Sequence, residues 1–273
     1  MNNSVRTFRD VLYERPGPKT RRLINIFTLI SLVLLVVIFY FVIRAFYINN
    51  QLNAKYWYFF SRITTWQFIG KGLAGTFEAA ILAGIMAFIL GYIMMLGRVS
   101  KYGFLKAITR GIIEFTRGVP TLLFIYFFFL IAPNMGLKLP PILKISLPVA
   151  ISASGVVAEV LRSGVNAVAK GQREAGLCLG MTEGQVFNKI IFPQAFRIVI
   201  PSLISEIVIV VKDTTYAYVV SFPDLMQNAR VLISNYDAML SVYLVAAIIY
   251  ILINYILNKI ANYIENRSHR NNL

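Results

Sequence analysis

Residues 174–193 read EAGLCLGMTEGQVFNKIIFP and lie between two strongly apolar stretches. Gly180 supplies the flexible residue that closes one short helix, and Thr182-Glu183-Gly184-Gln185 opens a second with the S/T-x-x-Q pattern of a capping box. Two short helices are therefore predicted to meet at a sharp corner. Pro193 lacks the N–H that would continue the second helix, Ile190 and Phe192 supply an apolar contact, and a further hydrophobic span begins near Ile198. The stretch reads as a compact helical knob held against a membrane face.

The rest of the chain supplies that membrane. Of 273 residues, 58% are hydrophobic and only 14% charged, well outside the balance of a soluble globular domain. A bilayer core of about 30 Å needs roughly 20 apolar residues per helix, and Leu23 to Ile43 meets that without a charge. The preceding segment is polar and basic, and no small-residue cleavage site follows the apolar run, so a retained helix is expected instead of a signal peptide. Six transmembrane helices are predicted, near 23–47, 73–97, 119–134, 146–161, 198–214 and 238–258. Pro120 and Pro148 near the starts of the third and fourth foretell kinks or tilts. The fold class is all-α integral membrane protein.

A net charge of +15 raises the question of nucleic acid, but the basic residues fall between apolar spans and form no patch on one soluble domain, so no nucleic-acid partner is expected. Topology accounts for them. Arg6, Arg9, Arg15, Lys19, Arg21 and Arg22 precede the first span; Arg98, Lys101, Lys106, Arg110 and Arg117 lie between the second and third. Arg162, Lys170, Arg173, Lys189 and Arg197 flank the knob. By the positive-inside rule these segments, the knob and both termini are cytoplasmic in a multi-pass protein of the cell membrane. A single cysteine, Cys178, allows no intrachain disulfide, and a single histidine, His269, removes most metal and acid–base schemes, so no catalytic residue, metal or cofactor is expected.

The knob resembles the E-A-A-x3-G-x9-I-x-L-P loop of ABC-importer permease subunits, with Gly176 in place of the third small residue and Phe192 in place of the Leu. From about Gly72 onward the chain is similar to the type I transmembrane domain of polar amino-acid importers. Gly75-Thr76, Arg117-Gly118-Val119-Pro120-Thr121, Ala158-Glu159-Val160-Leu161-Arg162 and Lys212-Asp213-Thr214-Thr215 carry that likeness. Leu12-Tyr13-Glu14-Arg15-Pro16-Gly17-Pro18 followed by an extra helix also looks like actinobacterial glutamate permease subunits. The resemblance implies a five-helix core at 72–262, an added helix and external loop at 23–71, a cytoplasmic segment at 1–22 and a polar tail at 263–273. It further implies a second permease subunit, two cytoplasmic ATP-binding subunits, an extracellular substrate-binding protein and an amino-acid cargo. In that family the knob enters a groove on the ATPase, and Glu174, Ala175, Gly176, Gly180, Ile190, Phe192 and Pro193 match its motif. No G-x4-G-K-[ST] pattern occurs in the chain, so ATP is expected to be hydrolysed by partner subunits.

Ionisable residues at membrane depth need a partner or a wet cavity, which singles out Glu78, Glu159 and Glu206. Glu206 shares a helical face with Ser202 and, two turns on, with Asp213, a polar stripe suited to lining a pathway. Glu159 stands one turn from Arg162 and fits either pathway lining or a local ion pair. Lys212 could attract an acidic amino acid or neutralise Asp213. Gly75, Ala79, Ala83, Ala87 and Gly91 form a small-residue face that serves a subunit interface or intramolecular packing equally well. Tyr250, Asn254 and Asn258 suit interhelical hydrogen bonding, and the aromatic loop at 49–71 fits an interfacial belt or a docking site for an external partner.

An ion-coupled secondary transporter could use the buried Glu residues, but the chain shows no internal repeat and has a knob that such folds do not need. An intramembrane enzyme would need a nucleophile–base pair or metal ligands at membrane depth, which the residue inventory does not offer.

Overall fold

The structure is a computed structural model that describes residues 17–270, with side chains through residue 264; the Leu12–Pro16 stretch lies outside the described residues. The chain divides into two compact units, residues 1–56 and 57–273. In the first, helix α1 (Pro18–Ile48) starts with proline in its first turn, where the missing N–H costs no hydrogen bond. None of its residues is buried.

The second unit opens on α2 (Ile63–Val99). At 1.5 Å per residue its 37 residues reach about 55 Å, well beyond the bilayer core. It begins ahead of the predicted 73 because Gly70, Lys71 and Gly72 dilute the hydropathy, while tertiary contacts hold the early turns. Thr65 Oγ1 donates to Phe59 O at 2.7 Å, and the Phe59 ring stacks on Tyr236, centroids 4.3 Å apart. Phe59 is fully buried, so part of the aromatic loop is core, neither belt nor docking surface.

Helix α3 (Gly103–Gly118) is followed by α4 (Thr121–Tyr126), which continues through a π turn at Phe127–Ile131 and a 3-10 turn at Ala132–Met135. The two arms are bent by 96°. Val119, forced extended by the proline after it, makes the break. The predicted third span, 119–134, thus begins at that break and coincides with the second arm. Next come α5 (Pro141–Ala167), α6 (Lys170–Cys178), α7 (Glu183–Val186) with a π turn at Phe187–Ile191, α8 (Phe192–Asp213) with a 3-10 turn to Val220, α9 (Leu225–Tyr236) and α10 (Met239–Arg270). Among the described residues, five helices are long and apolar enough to span a membrane, six if the bent pair counts as one. All regular elements among the described residues are helical.

Two expectations need correction. Pro193 does not stop the second helix, because the Phe192 N–H bonds to Phe187 O across the widened π turn just before it and 183–220 runs as one span. Such a turn makes room for a proline ring that a regular α turn would exclude. The last helix also runs on to Arg270 instead of ending near 258.

The core lies where α2 meets α5. Gly75, Ala79, Ala83, Ala87 and Gly91 are all buried within this single chain. A Cβ on Gly91 would come within 2.7 Å of Val157 Cγ1, and one on Gly75 would collide with the Pro223 carbonyl oxygen. The small-residue face is therefore intramolecular packing.

Candidate functional site

The knob is built by its own sequence. Helix α6 ends in a Schellman turn: Gly180 adopts φ +78°, its N–H donates to Leu177 O at 3.0 Å, and the Met181 N–H donates to Gly176 O at 3.2 Å. The capping box then starts α7, with the Thr182 N–H donating to Gln185 Oε1 at 2.9 Å and the Gln185 N–H to Thr182 Oγ1 at 3.4 Å. Gly176 is buried at the crossing, where a Cβ would stand 2.9 Å from both Ile190 Cδ1 and Val186 Cγ2. An exposed Arg173–Glu183 ion pair at 2.8 Å spans the corner.

Phe192 turns inward. Its ring lies 5.0 Å from Tyr92 of α2 and 5.9 Å from Phe187, so it fastens the knob to the helical body. The seven residues chosen from sequence thus separate by task. Gly176, Ile190 and Phe192 shape and hold the corner, whereas Glu174, Ala175, Gly180 and Pro193 are exposed. Sequence reading passed over Leu179, which is 81% exposed at the tip. An apolar residue at the C-cap position, directly before the glycine that ends the helix, was the available signal.

Ser202, Glu206 and Asp213 lie on one continuous helix, α8, and Glu159 lies on α5. Glu159 is clamped by two guanidinium groups, Arg162 Nη2 at 2.6 Å and Arg98 Nε at 3.4 Å, and so ties α5 to the end of α2. Asp213 Oδ2 accepts from Thr121 Oγ1 at 2.8 Å, and Thr121 Oγ1 lies 2.9 Å from Ser152 Oγ, a polar triad placed where the broken span resumes. Lys212, Ser202 and Glu78 are exposed. Glu206 is 93% buried by residue area, being 7% exposed, and lines an apolar cavity of about 660 Å³ with Phe77, Phe88, Ile200, Leu203 and Val210. No hydrogen bond joins Ser202, Glu206 and Asp213 among the described residues. Nor does any group of three metal-ligating side chains form there.

A second polar cluster escaped the sequence reading. Asp224 is fully buried and caps α9, its Oδ1 accepting the Gln227 N–H at 2.7 Å. Thr76 Oγ1 of α2 accepts the Leu225 N–H at 3.1 Å, and Asn228 Nδ2 donates to Phe68 O at 2.7 Å. The Tyr250 hydroxyl of α10 lies beside the carboxylate. Burial pushes the Asp224 carboxyl up to about 6. Pro223-Asp224-Leu225, a turn followed by an N-cap residue, was its only trace in sequence.

Residues 87–270 match the family model described as binding-protein-dependent transport system inner membrane component. The chain is 32% identical to the glutamate transport system permease protein GluD of Corynebacterium glutamicum, over 80% of this chain and 81% of that one. It is 33% identical to the probable glutamine ABC transporter permease protein GlnM of Bacillus subtilis, over 72% and 91%. Among solved structures, an amino acid ABC transporter crystallised with histidines superposes with a TM-score of 0.70 at 28% identity, covering 77% of this chain and 98% of that one.

Proposed function

The chain belongs to the family of binding-protein-dependent transport system inner membrane components, and from that premise we propose that it imports a polar amino acid, with glutamate the foremost candidate. It works as the permease subunit of an ATP-binding-cassette importer, beside a second permease subunit, two cytoplasmic ATPases and an external binding protein. Residues 72–262 form the permease core, with both termini and the knob on the cytoplasmic side.

The observation that carries this reading is the knob: a rigid corner, fixed by a left-handed glycine and a capping box, that presents Glu174, Ala175 and Leu179 to solvent. An exposed leucine on a structured turn suits a pocket on a partner. When two ATPases close around ATP, a groove holding this knob displaces α6. The attached α5 and α8 carry that displacement into the membrane, opening the path outward. Asp213 and Glu206 are the pathway groups we place nearest the moving elements, and Glu159 keeps α2 and α5 moving as one body. Lys212 and Ser202 complete the candidate path on the exposed side of α8.

The test is uptake of labelled glutamate, glutamine and histidine into proteoliposomes holding the full assembly. The reading expects accumulation that needs both internal ATP and the binding protein. Uptake driven by a sodium or proton gradient without ATP would overturn it.

A further inference from the structure

We propose, on the premise of the importer assembly above, that the apolar groove between α2 and α8 receives a transmembrane helix of the second permease subunit, which brings a hydrogen-bond donor to Glu206. The groove holds about 660 Å³. Ile81, Ile85 and Ile89 of α2 and Ile207 of α8 line it, and all four are exposed, so it opens sideways out of the chain at membrane depth. Leu257 of α10 and Phe196 of α8 complete its walls.

The carboxyl group selects the occupant. Glu206 stands about 21 Å along α8 from Phe192 at 1.5 Å per residue, well inside the apolar 183–220 span. It is 7% exposed, and among the described residues it has no hydrogen bond and no ion pair. An ionisable group at such depth is kept with a partner or with water. Acyl chains would cover the isoleucines but would leave this carboxyl group without a donor. A polar amino acid fits no better, because its ammonium and carboxylate would share one acidic group among walls of Ile, Leu, Phe and Val. A helix with a hydroxyl, amide or ammonium on an apolar face meets both requirements at once.

The α2 wall is shaped for a helix. Gly75 and Gly91 are filled from within the chain, by Pro223 and Val157, but a Cβ on Gly84 meets no atom within 4 Å. Gly84 lines the groove, one turn after Ala80, which lines it too. Small residues four apart let a second backbone come close, so the groove offers a helix both a shallow seat and a polar anchor.

Photo-crosslinking tests this. Benzoylphenylalanine in place of Ile85, irradiated in membranes that hold the full assembly, should give an adduct that adds the mass of a second permease subunit, whether identical to this chain or different. Adducts to lipid alone, adducts to another segment of the same chain, or none at all would overturn the proposal. Glu206→Leu keeps the groove apolar and removes the acceptor, so it should loosen the second permease in detergent by about three- to fifteenfold, the range of one interhelical hydrogen bond. Glu206→Gln keeps an acceptor and should retain most of the binding. If Glu206→Leu fails to fold, Gly84→Leu, which fills the groove and leaves the carboxyl group in place, should loosen the same subunit. Wild-type retention in the folded variants would also overturn the proposal. A purified assembly with no second permease at all would instead defeat the importer reading, whereas a second permease that is present but never adds to residue 85 defeats only the groove.

Discussion

Replacing Gly180 separates backbone conformation from space at the knob. A Cβ at this position meets no atom within 4 Å, so no side chain is excluded by crowding. The obstacle is φ +78°, which costs an ordinary L-residue about 1–2 kcal/mol. That cost falls on a corner held by two Schellman hydrogen bonds and a capping box, and it lowers the population of the native corner relative to a relaxed one by a factor of about 5–30. Gly180→Leu should therefore insert into the membrane and keep the melting temperature of the helical body, yet lose most of the coupling between ATP hydrolysis and uptake. Asparagine tolerates the left-handed region, so Gly180→Asn should recover most of the activity. The assay is the ratio of transported amino acid to ATP hydrolysed in proteoliposomes, measured for both variants. Wild-type coupling in the leucine variant, or an asparagine variant as defective as leucine, would refute the conformational reasoning.

Three further perturbations act on the body of the protein. Glu159→Gln leaves Arg98 and Arg162 facing each other half-buried and should cost about 1–2 kcal/mol, seen as a lower melting temperature that Glu159→Asp partly restores. Gly75→Ala drives a methyl group into the Pro223 carbonyl and should cost about 1–3 kcal/mol, whereas Gly84→Ala, with open space around it, should be neutral in the same melt. Asp224 titrates near 6 in the fold against about 3.9 unfolded, so the fold favours its protonated form. That contribution is fully present below about pH 4 and is lost as pH rises through 6, a swing of about 3 kcal/mol that Asp224→Asn should abolish in melts between pH 4 and 8.

The spans were legible because hydropathy averages over some twenty residues and is insensitive to what packs on them, as in α1, α5 and α10. The same averaging hid α3, whose Lys106, Arg110, Glu114 and Arg117 break every apolar window although one arc of the helix is greasy. The Schellman turn and the capping box of the knob were legible too, since both are set by residues four to five apart in sequence. Asp224 was not, because a buried cap in a short connection carries no periodic signal.

By itself, then, the sequence determined what depends on neighbours along the chain: which segments enter a bilayer, and the corner at Gly180 and Thr182. Only the tertiary structure decided what depends on neighbours across it. Whether Gly75, Ala79, Ala83, Ala87 and Gly91 face a partner or their own chain rested on the position of Val157 and Pro223, and the fate of Asp213 on Thr121 arriving from a broken helix. Small side chains and buried carboxylates accept many neighbours with similar energy, so their roles follow from which groups the fold brings within a few ångströms of them.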